Sequence, residues 1–270
     1  MTVSLLSGFA TAPVSAAAAD DQTSNARTAT AASSAGPYQL AADGIVRGPT
    51  DRRQIALVFT GHEFADGAST ILDVLLRRRA KASFFLTGDF LRTPAFAPLV
   101  QRMVRDGHDL GPHSDRHLLL CPWDGPKVSL VTRAAFDEDL RRNVAELTRH
   151  GVPAARITHW IPSYEWYARE HVEWSRALGL TLINFTPGTR SNADYTEEAD
   201  PRFVSSQAIV DSILTKERTD PHGLNGFVLL LHVGAGPARR DKMHDRLDEL
   251  LGALMSRGYT FVTARELLSR

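Results

Sequence analysis

The sequence of 270 residues lacks several features that would by themselves point to a class of protein. It holds one cysteine, Cys121, so an internal disulfide bond is excluded, and we expect this side chain to be a buried apolar residue. No apolar run approaches the roughly 20 residues needed to cross a bilayer. The 31 basic and 31 acidic residues balance. Without a basic segment, the sequence predicts no nucleic-acid partner and a neutral or small substrate.

A glycine-rich phosphate loop is also missing after the first predicted strand, residues 54–60. A nucleotide or dinucleotide site is therefore not expected. With 43% hydrophobic residues, the chain is long enough to bury a substantial core without disulfides.

Residues 1–48 differ in composition from the rest of the chain. An apolar run from Val3 to Ala10 precedes small residues that end at Ala19, an order typical of a secretory signal peptide, although no basic residue precedes it. A disordered tail rich in Ala, Ser and Thr is the alternative. Residues 20–48 lack a sustained apolar period and are predicted to be a flexible lead-in. We therefore expect one folded domain at 49–270 and a secreted or periplasmic protein.

From residue 51 onward, apolar runs of strand length alternate with amphipathic helical segments, as in a parallel sheet with helical crossovers. Seven strands are predicted, at residues 54–60, 82–88, 109–111, 157–162, 181–186, 226–232 and 259–263. Polar residues recur where many of these strands end, which favours an α/β barrel over an open doubly wound sheet. These residues are His62, His113, Tyr164, Asn184 and His232.

The segment from Asp106 to His117 ends in two histidines four residues apart, His113 and His117. If a helical turn begins near Pro112, both imidazoles lie on one face and can share a divalent ion. Such a pair is a weak signal alone. A barrel that also brings the strand-end histidines to the same edge makes a metal site there the favoured interpretation.

These residues resemble the polysaccharide deacetylase family, whose catalytic unit is called the NodB homology domain. The similarity covers nearly all of residues 51–270, and its specific part is the histidine pair with its lead-in; Phe84-Phe85 and Leu230-Leu231-His232 add to it. The resemblance implies a distorted barrel of about seven parallel strands, of (β/α)7 type and related to TIM barrels. It also implies zinc or another divalent transition metal as the cofactor.

The resemblance further assigns site residues in this chain. His113 and His117 match the family's two metal-binding histidines, and His232 matches the general acid that protonates the departing amine. Tyr164 lies in the segment whose backbone N–H helps to stabilise the oxyanion. Leu230, two residues before His232, is predicted to contact the substrate.

The first motif departs from the family pattern. Where the family has Phe-Asp-Asp-Gly, this chain has Thr60-Gly61-His62-Glu63, which places Gly61 at the catalytic base and His62 at the metal-binding aspartate. Ile161 replaces the arginine that tethers that base. Because both partners of one ion pair are absent, we interpret the site as remodelled. His62 is the predicted third ligand, with Asp66 as the alternative.

Three carboxylates are candidates for the missing base, ranked Glu63, Glu165 and Asp66. Glu63 directly follows the predicted ligand, and Glu165 replaces a small residue that usually follows the family's tyrosine. Three neutral imidazoles would leave the ion its full double charge and a strongly acidified water, so such a site depends less on its base.

The segment at residues 187–203 is long enough to predict a function for this loop. Arg190, Asn192 and Asp194 provide the hydrogen-bonding groups that a hydroxyl-rich ligand needs, although ordinary turn chemistry explains the same composition. Trp166 and Tyr195 are predicted to line a sugar-stacking groove, with packing as the alternative.

The sequence thus predicts a metal-dependent hydrolase that removes N- or O-linked acetyl groups from a poly- or oligosaccharide. Two alternatives remain. The chain could be a catalytically silent carbohydrate-binding barrel, or its hydrolysis could be directed at another amide or ester bond. The oligomeric state is not predicted.

Overall fold

The sheet of this protein curls around an apolar interior and is covered by helices on its outside. The structure is a computed structural model and describes residues 38–269. Its strands are β1 (Gln39–Ala41), β2 (Gly44–Arg47), β3 (Gln54–Gly61), β4 (Ser83–Leu86), β5 (Asp109–Pro112), β6 (His159–Trp160), β7 (Thr181–Leu182), β8 (Phe227–His232) and β9 (Thr260–Val262). Its α-helices are α1 (Ala68–Arg78), α2 (Gly88–Arg92), α3 (Ala97–Arg105), α4 (Arg133–Arg149), α5 (Arg169–Ala177), α6 (Ser206–Thr219), α7 (Leu247–Met255) and α8 (Ala264–Leu268).

The central strand is β3, which pairs in parallel with β8 along one edge. Its other edge is shared, because β9 pairs with the first residues of β3 and β4 pairs with the last. β5 follows β4, while β6 and β7 form a separate parallel pair. A hydrogen bond from Ile161 N to Pro112 O, 3.3 Å long, joins the ends of β6 and β5. The predicted distorted α/β barrel is confirmed.

Strand alternation divides the core into two layers. Val58 of β3 and Leu230 of β8 belong to an inner cluster, whereas Leu57 and Leu229 belong to the cluster beneath the helices. His232 is two residues beyond Leu230, so it lies on the inner face, at the mouth of the barrel. This period of two places a polar side chain directly above the apolar interior.

Part of the predicted flexible lead-in is ordered. Residues 39–47 form the hairpin of β1 and β2, and β2 pairs antiparallel with β8 through Arg47 and Phe227. Ile45 also bridges to Ile183, just after β7. These strands are too short to show a period in the sequence, and their order comes from contacts with distant strands. The predicted signal segment lies outside the described residues, and the domain boundary at residue 49 stays a prediction.

Other local predictions can be compared directly with the structure. Thr132 caps α4 as predicted, because its side chain accepts a hydrogen bond from Ala135 N. Cys121 is buried, as expected. The helical turn predicted near Pro112 is wrong: residues 113–117 form a loop in which Ser114 and His117 have positive φ angles of 71° and 52°. Within residues 38–269, no helix is long and apolar enough to cross a membrane.

Candidate active site

Three histidines lie together where β3 and β5 end. The rings of His62 and His117 are stacked, with centroids 4.3 Å apart and planes at 14°. The ring of His113 lies 5.2 Å from that of His117. The turns of the loop after β5 bring the imidazoles of His113 and His117 together, as a helical face was expected to do.

His113 is held in the form that binds a metal. Its Nδ1 donates to the carbonyl of Ile161 at 2.9 Å, which leaves Nε2 as the nitrogen with the free lone pair. Burial lowers the pKa of His113 to about 3. Burial, together with repulsion from His113 and His62, also lowers the pKa of His117 well below its usual value. Both imidazoles are therefore neutral at physiological pH.

The residues that the structure describes hold no ready-made metal site: among residues 38–269, no three His, Cys, Asp or Glu side chains are arranged around one position. The rings of His62 and His117 are stacked, so a shared ion would require these side chains to turn. The donor chemistry does fit a transition metal, because three clustered imidazoles are a good zinc set. His62 as the third ligand stays a prediction.

Glu165 lies beside this cluster with an unsatisfied oxygen. Its Oε1 is buried, has no hydrogen-bond partner and lies 4.0 Å from Nε2 of His113. Burial raises the pKa of Glu165 to about 7; the charge of His232 opposes this rise and that of Asp194 adds to it. The preceding Tyr164 and Glu165 itself have φ angles of 60° and 55°, a left-handed pair that is rare outside glycine.

His232 is paired with Asp194 at the mouth of the barrel. Its Nδ1 contacts Asp194 Oδ1 at 2.6 Å, and its backbone N–H donates to Oδ2 at 2.9 Å. Burial alone would lower the pKa of His232, but the charge and hydrogen bond of Asp194, helped by Glu165, raise it overall. Asp194 was predicted to bind substrate. In the structure both of its oxygens are engaged by His232, and a contact of Asp194 with substrate stays a prediction.

The remaining carboxylate candidates differ in exposure and partners. Glu63 Oε1 lies 3.8 Å from His62 Nε2, and its side chain is 68% exposed. Asp66 is held by Lys242 at 2.7 Å and by the backbone N–H of Gly236 at 3.1 Å. These bonds outweigh burial and lower the pKa of Asp66. The structure therefore does not support Asp66 as a ligand or base, since its carboxylate is already engaged by other groups.

The position predicted for the family's base is closed by packing. A Cβ atom on Gly61 would lie 2.8 Å from Leu86 Cδ2 and 3.2 Å from Phe90. A side chain at residue 61 would therefore point into the core beneath the helices, and Leu86 would have to shift to admit it.

Two predicted substrate contacts are buried. Trp166 donates from Nε1 to Pro122 O and lies beneath the ammonium group of Lys127, so it offers no face for a sugar. Leu230 is wholly inside the barrel. Both side chains are covered by protein in the structure, which does not support a contact with substrate, and that contact stays a prediction.

The other predicted substrate residues lie in the loop before α6. Arg190 is exposed, and its backbone N–H donates to Ser212 of α6. Asn192 is half-buried in the short turn Ser191–Ala193 that leads to Asp194. Tyr195 is 40% exposed and meets the His232 ring edge-on at 5.1 Å. Of these three, the structure places Tyr195 against a candidate catalytic residue.

Sequence reasoning missed Trp123. This half-buried residue in the loop between β5 and α4 contacts Tyr164 edge-on, with ring centroids 5.4 Å apart. Tyr164 in turn packs on His117, with ring centroids 4.2 Å apart. No period or motif marked Trp123, because its loop has neither. Trp123 and Tyr164 form an aromatic surface beside the histidine cluster.

The loop at residues 113–117, which carries His113 and His117, is held in place by α4. Asn143 accepts from His113 N at 2.8 Å and donates to Leu86 O at 3.0 Å. One turn earlier, Asp139 accepts from the backbone N–H groups of Asp115 and Arg116. Two buried polar residues on one helix face thus fix the backbone that carries His113.

We expect Asn143→Ala to lower the free energy of unfolding by about 2 kcal/mol, because it removes two buried hydrogen bonds. Chemical denaturation measures this loss. Arg142→Ala on the exposed face of α4 is the control and is expected to change stability by less than about 0.5 kcal/mol. Equal losses of stability in the two variants would contradict the role of Asn143 in fixing the backbone of His113.

The comparison with protein families gives a match to the polysaccharide deacetylase model over residues 47–183, just over half of the chain. The chain belongs to the polysaccharide deacetylase family. The matched region contains the histidine cluster and the turn that carries Glu165. It ends before Asp194 and His232, which the structure adds to the site.

Curated relatives of this polysaccharide deacetylase family chain include two enzymes with named activities. One is a peptidoglycan-N-acetylglucosamine deacetylase of Bacillus cereus, 23% identical over 216 residues, or 80% of this chain and 68% of the relative. The other is a chitooligosaccharide deacetylase of Sinorhizobium fredii, 28% identical over 203 residues, or 70% and 80%. An uncharacterized 30.6 kDa protein of Geobacillus stearothermophilus is 29% identical over 82% of this chain and 73% of its own length.

Solved structures confirm the fold expected for this family. A peptidoglycan N-acetylglucosamine deacetylase of known structure aligns with a TM-score of 0.66 at 22% identity, and the alignment covers 83% of this chain and 91% of that one. A family 4 carbohydrate esterase pseudoenzyme from Bacillus anthracis aligns with a TM-score of 0.64 at 16% identity, covering 85% and 70%. At these identities the likeness concerns the barrel alone.

Proposed function

We propose that this chain is a metal-dependent hydrolase that removes acetyl groups from an acylated poly- or oligosaccharide. The observation that carries the proposal is the cluster of three imidazoles, His62, His113 and His117, beside the His232–Asp194 pair. Family membership and the activities of the named relatives support the reaction class. Zinc suits a set of imidazoles and is the proposed metal.

Each group of the site has a separate role in the proposed deacetylation. When bound by the three histidines, a zinc ion supplies polarisation of the acetyl carbonyl and acidification of water. His232, whose pKa is raised by Asp194, donates a proton to the departing nitrogen or oxygen. The backbone N–H of Tyr164 is proposed to stabilise the oxyanion. Asp194 keeps His232 oriented through two hydrogen bonds.

Aromatic side chains next to these groups suit a sugar substrate. Trp123 and Tyr164 lie beside His117, and Tyr195 lies beside His232. Aromatic faces pack against the apolar faces of sugar rings, while the polar tip of tyrosine remains in contact with water. A polysaccharide substrate and the signal-like run of residues 3–19 together support a proposed location outside the cytoplasm.

Acetate release from N-acetylated and O-acetylated oligosaccharides tests the proposal. We expect one metal ion per chain, loss of acetate release in a chelator, and recovery when zinc is returned. Magnesium serves as the matched control, because imidazole ligands bind it poorly. Acetate release that is indifferent to the chelator would contradict the proposal.

One observation favours a second candidate, a silent carbohydrate-binding barrel. The resemblance to the family places Gly61 and Ile161 at the positions of the base and of the arginine that tethers it, and neither residue can replace those groups. Sugar binding without any acetate release would support this candidate, and chelator-sensitive release would exclude it. The same substrate panel, extended to other amides and esters, tests the remaining alternative of hydrolysis at a different bond.

A further inference from the structure

The proposed function leaves open which group takes the proton from the attacking water. We propose that Glu165 is this general base, supplied by the turn after β6 in place of the first motif. The inference rests on the proposed function. It also reverses the ranking from the sequence, where Glu63 came first.

The position of the Glu165 carboxylate carries the inference. Its side chain is 7% exposed, and Oε1 is buried without a hydrogen-bond partner, 4.0 Å from Nε2 of His113. Oε1 therefore faces the nitrogen of His113 that carries the free lone pair. A buried carboxylate oxygen without a partner is unfavourable for folding, and a catalytic role is one reason for a protein to retain it.

The backbone around Glu165 is fixed in this arrangement. Asn184 Nδ2 donates to the carbonyl of Glu165 at 2.7 Å, and Glu165 N donates to Pro162 O at 2.9 Å. Residues 164 and 165 are both left-handed, a costly conformation for side chains other than glycine. Ile161 offers no cation in place of the family's arginine, so the carboxylate is not drawn into an ion pair with it.

The competing groups are less suited to the role. A side chain at residue 61 would point into the core beneath the helices, and Asp66 is held by Lys242 and Gly236. Glu63 Oε1 lies 3.8 Å from His62 Nε2, and its exposed side chain is free to turn into solvent. Glu165 is the carboxylate among these that is both buried and directed at the cluster.

The step begins with Glu165 ionised and His232 protonated. The water oxygen bonds to the acetyl carbon while one water proton passes to Glu165. The carbon–nitrogen bond, or carbon–oxygen bond in an ester, then breaks with its electron pair on the leaving atom, which takes the proton from His232. The products are the free amine or alcohol and acetic acid. Glu165 returns its proton to His232 through solvent, so atoms and charge balance without any redox partner.

Glu165→Gln is the test, with Glu63→Gln as the matched control. We expect Glu165→Gln to reduce kcat about 100-fold, the usual effect of losing a general base, while Glu63→Gln changes it less than about threefold. Zinc affinity, measured by chelator competition, is expected to stay within about threefold in both. The midpoint of unfolding should not fall in Glu165→Gln, because the substitution replaces a buried carboxylate whose Oε1 has no hydrogen-bond partner.

A second variant tests the role independently. Glu165→Ala opens space beside His113, and high concentrations of formate are expected to restore kcat at least about tenfold by replacing the missing carboxylate. A fall of zinc affinity by tenfold or more in Glu165→Gln would make the residue a ligand and overturn the proposal. A large loss in Glu63→Gln with little in Glu165→Gln would also overturn it. These outcomes are distinct from a failure of the proposed function itself, in which the wild-type protein would release no acetate.

Discussion

His113→Ala is expected to remove the bound metal and reduce acetate release on the order of 10³-fold or more, because it deletes a ligand that no neighbour replaces. His113 is buried, and its Nδ1 is fixed on the Ile161 carbonyl, so Nε2 is oriented before any ion arrives. A preoriented ligand contributes more to affinity than a mobile one. Metal content per chain and initial rates of acetate release measure the two losses.

His222→Ala is the matched control for this prediction. His222 is exposed in the turn before β8, and its backbone N–H is held by Asp220 whatever its side chain. The control should keep the metal and the rate. Normal metal content in His113→Ala would show that the other residues hold the ion without it and would contradict the proposed ligand set.

Asp194→Asn is expected to lower kcat about 10³-fold above neutral pH, an effect comparable to replacing the orienting aspartate of a catalytic histidine. The charge of Asp194 raises the pKa of His232 against the lowering effect of burial. Removing that charge lowers the pKa of His232, so the protonated donor is lost at a lower pH. The alkaline limb of the kcat profile should therefore move toward acid.

A profile of kcat from about pH 5 to 9 measures this shift, since it spans the range in which histidine titrates. Asp200→Asn in the same loop is the control, because Asp200 pairs with Arg202 instead of with a catalytic group. That variant should keep the wild-type profile. An unshifted alkaline limb in Asp194→Asn would contradict the assignment of His232 as the proton donor.

The sequence predicted the elements whose pattern is local. β3 and β8 are buried on both faces and read as continuous apolar runs, and α4 has both a capping threonine and an apolar stripe. The histidines at 62, 113 and 232 were found because strand ends of a barrel converge. The strands and helices could be predicted from neighbouring residues, and the grouping of the histidines followed from the predicted barrel.

The rest depended on partners distant in the sequence. Asp194 and His232 are 38 residues apart, and no spacing rule links a loop carboxylate to a strand end. Glu165 is buried whereas Glu63 is exposed, and Trp166 is buried whereas Trp123 is half-buried, although each pair consists of identical residue types. Sequence reasoning can list such residues, but their exposure is decided by the packed fold.

The hairpin of residues 39–47 has a consequence for where the folding unit starts. Its strand β2 pairs with the edge of β8 that faces away from β3. Ile45 of the same strand bridges to Ile183, so the hairpin connects β8 with the residue after β7. A chain trimmed at residue 49 would lose the pairing of Arg47 with Phe227 and would expose peptide groups at that end of β8, where another molecule could pair. We therefore expect the folding unit to include residues 39–47.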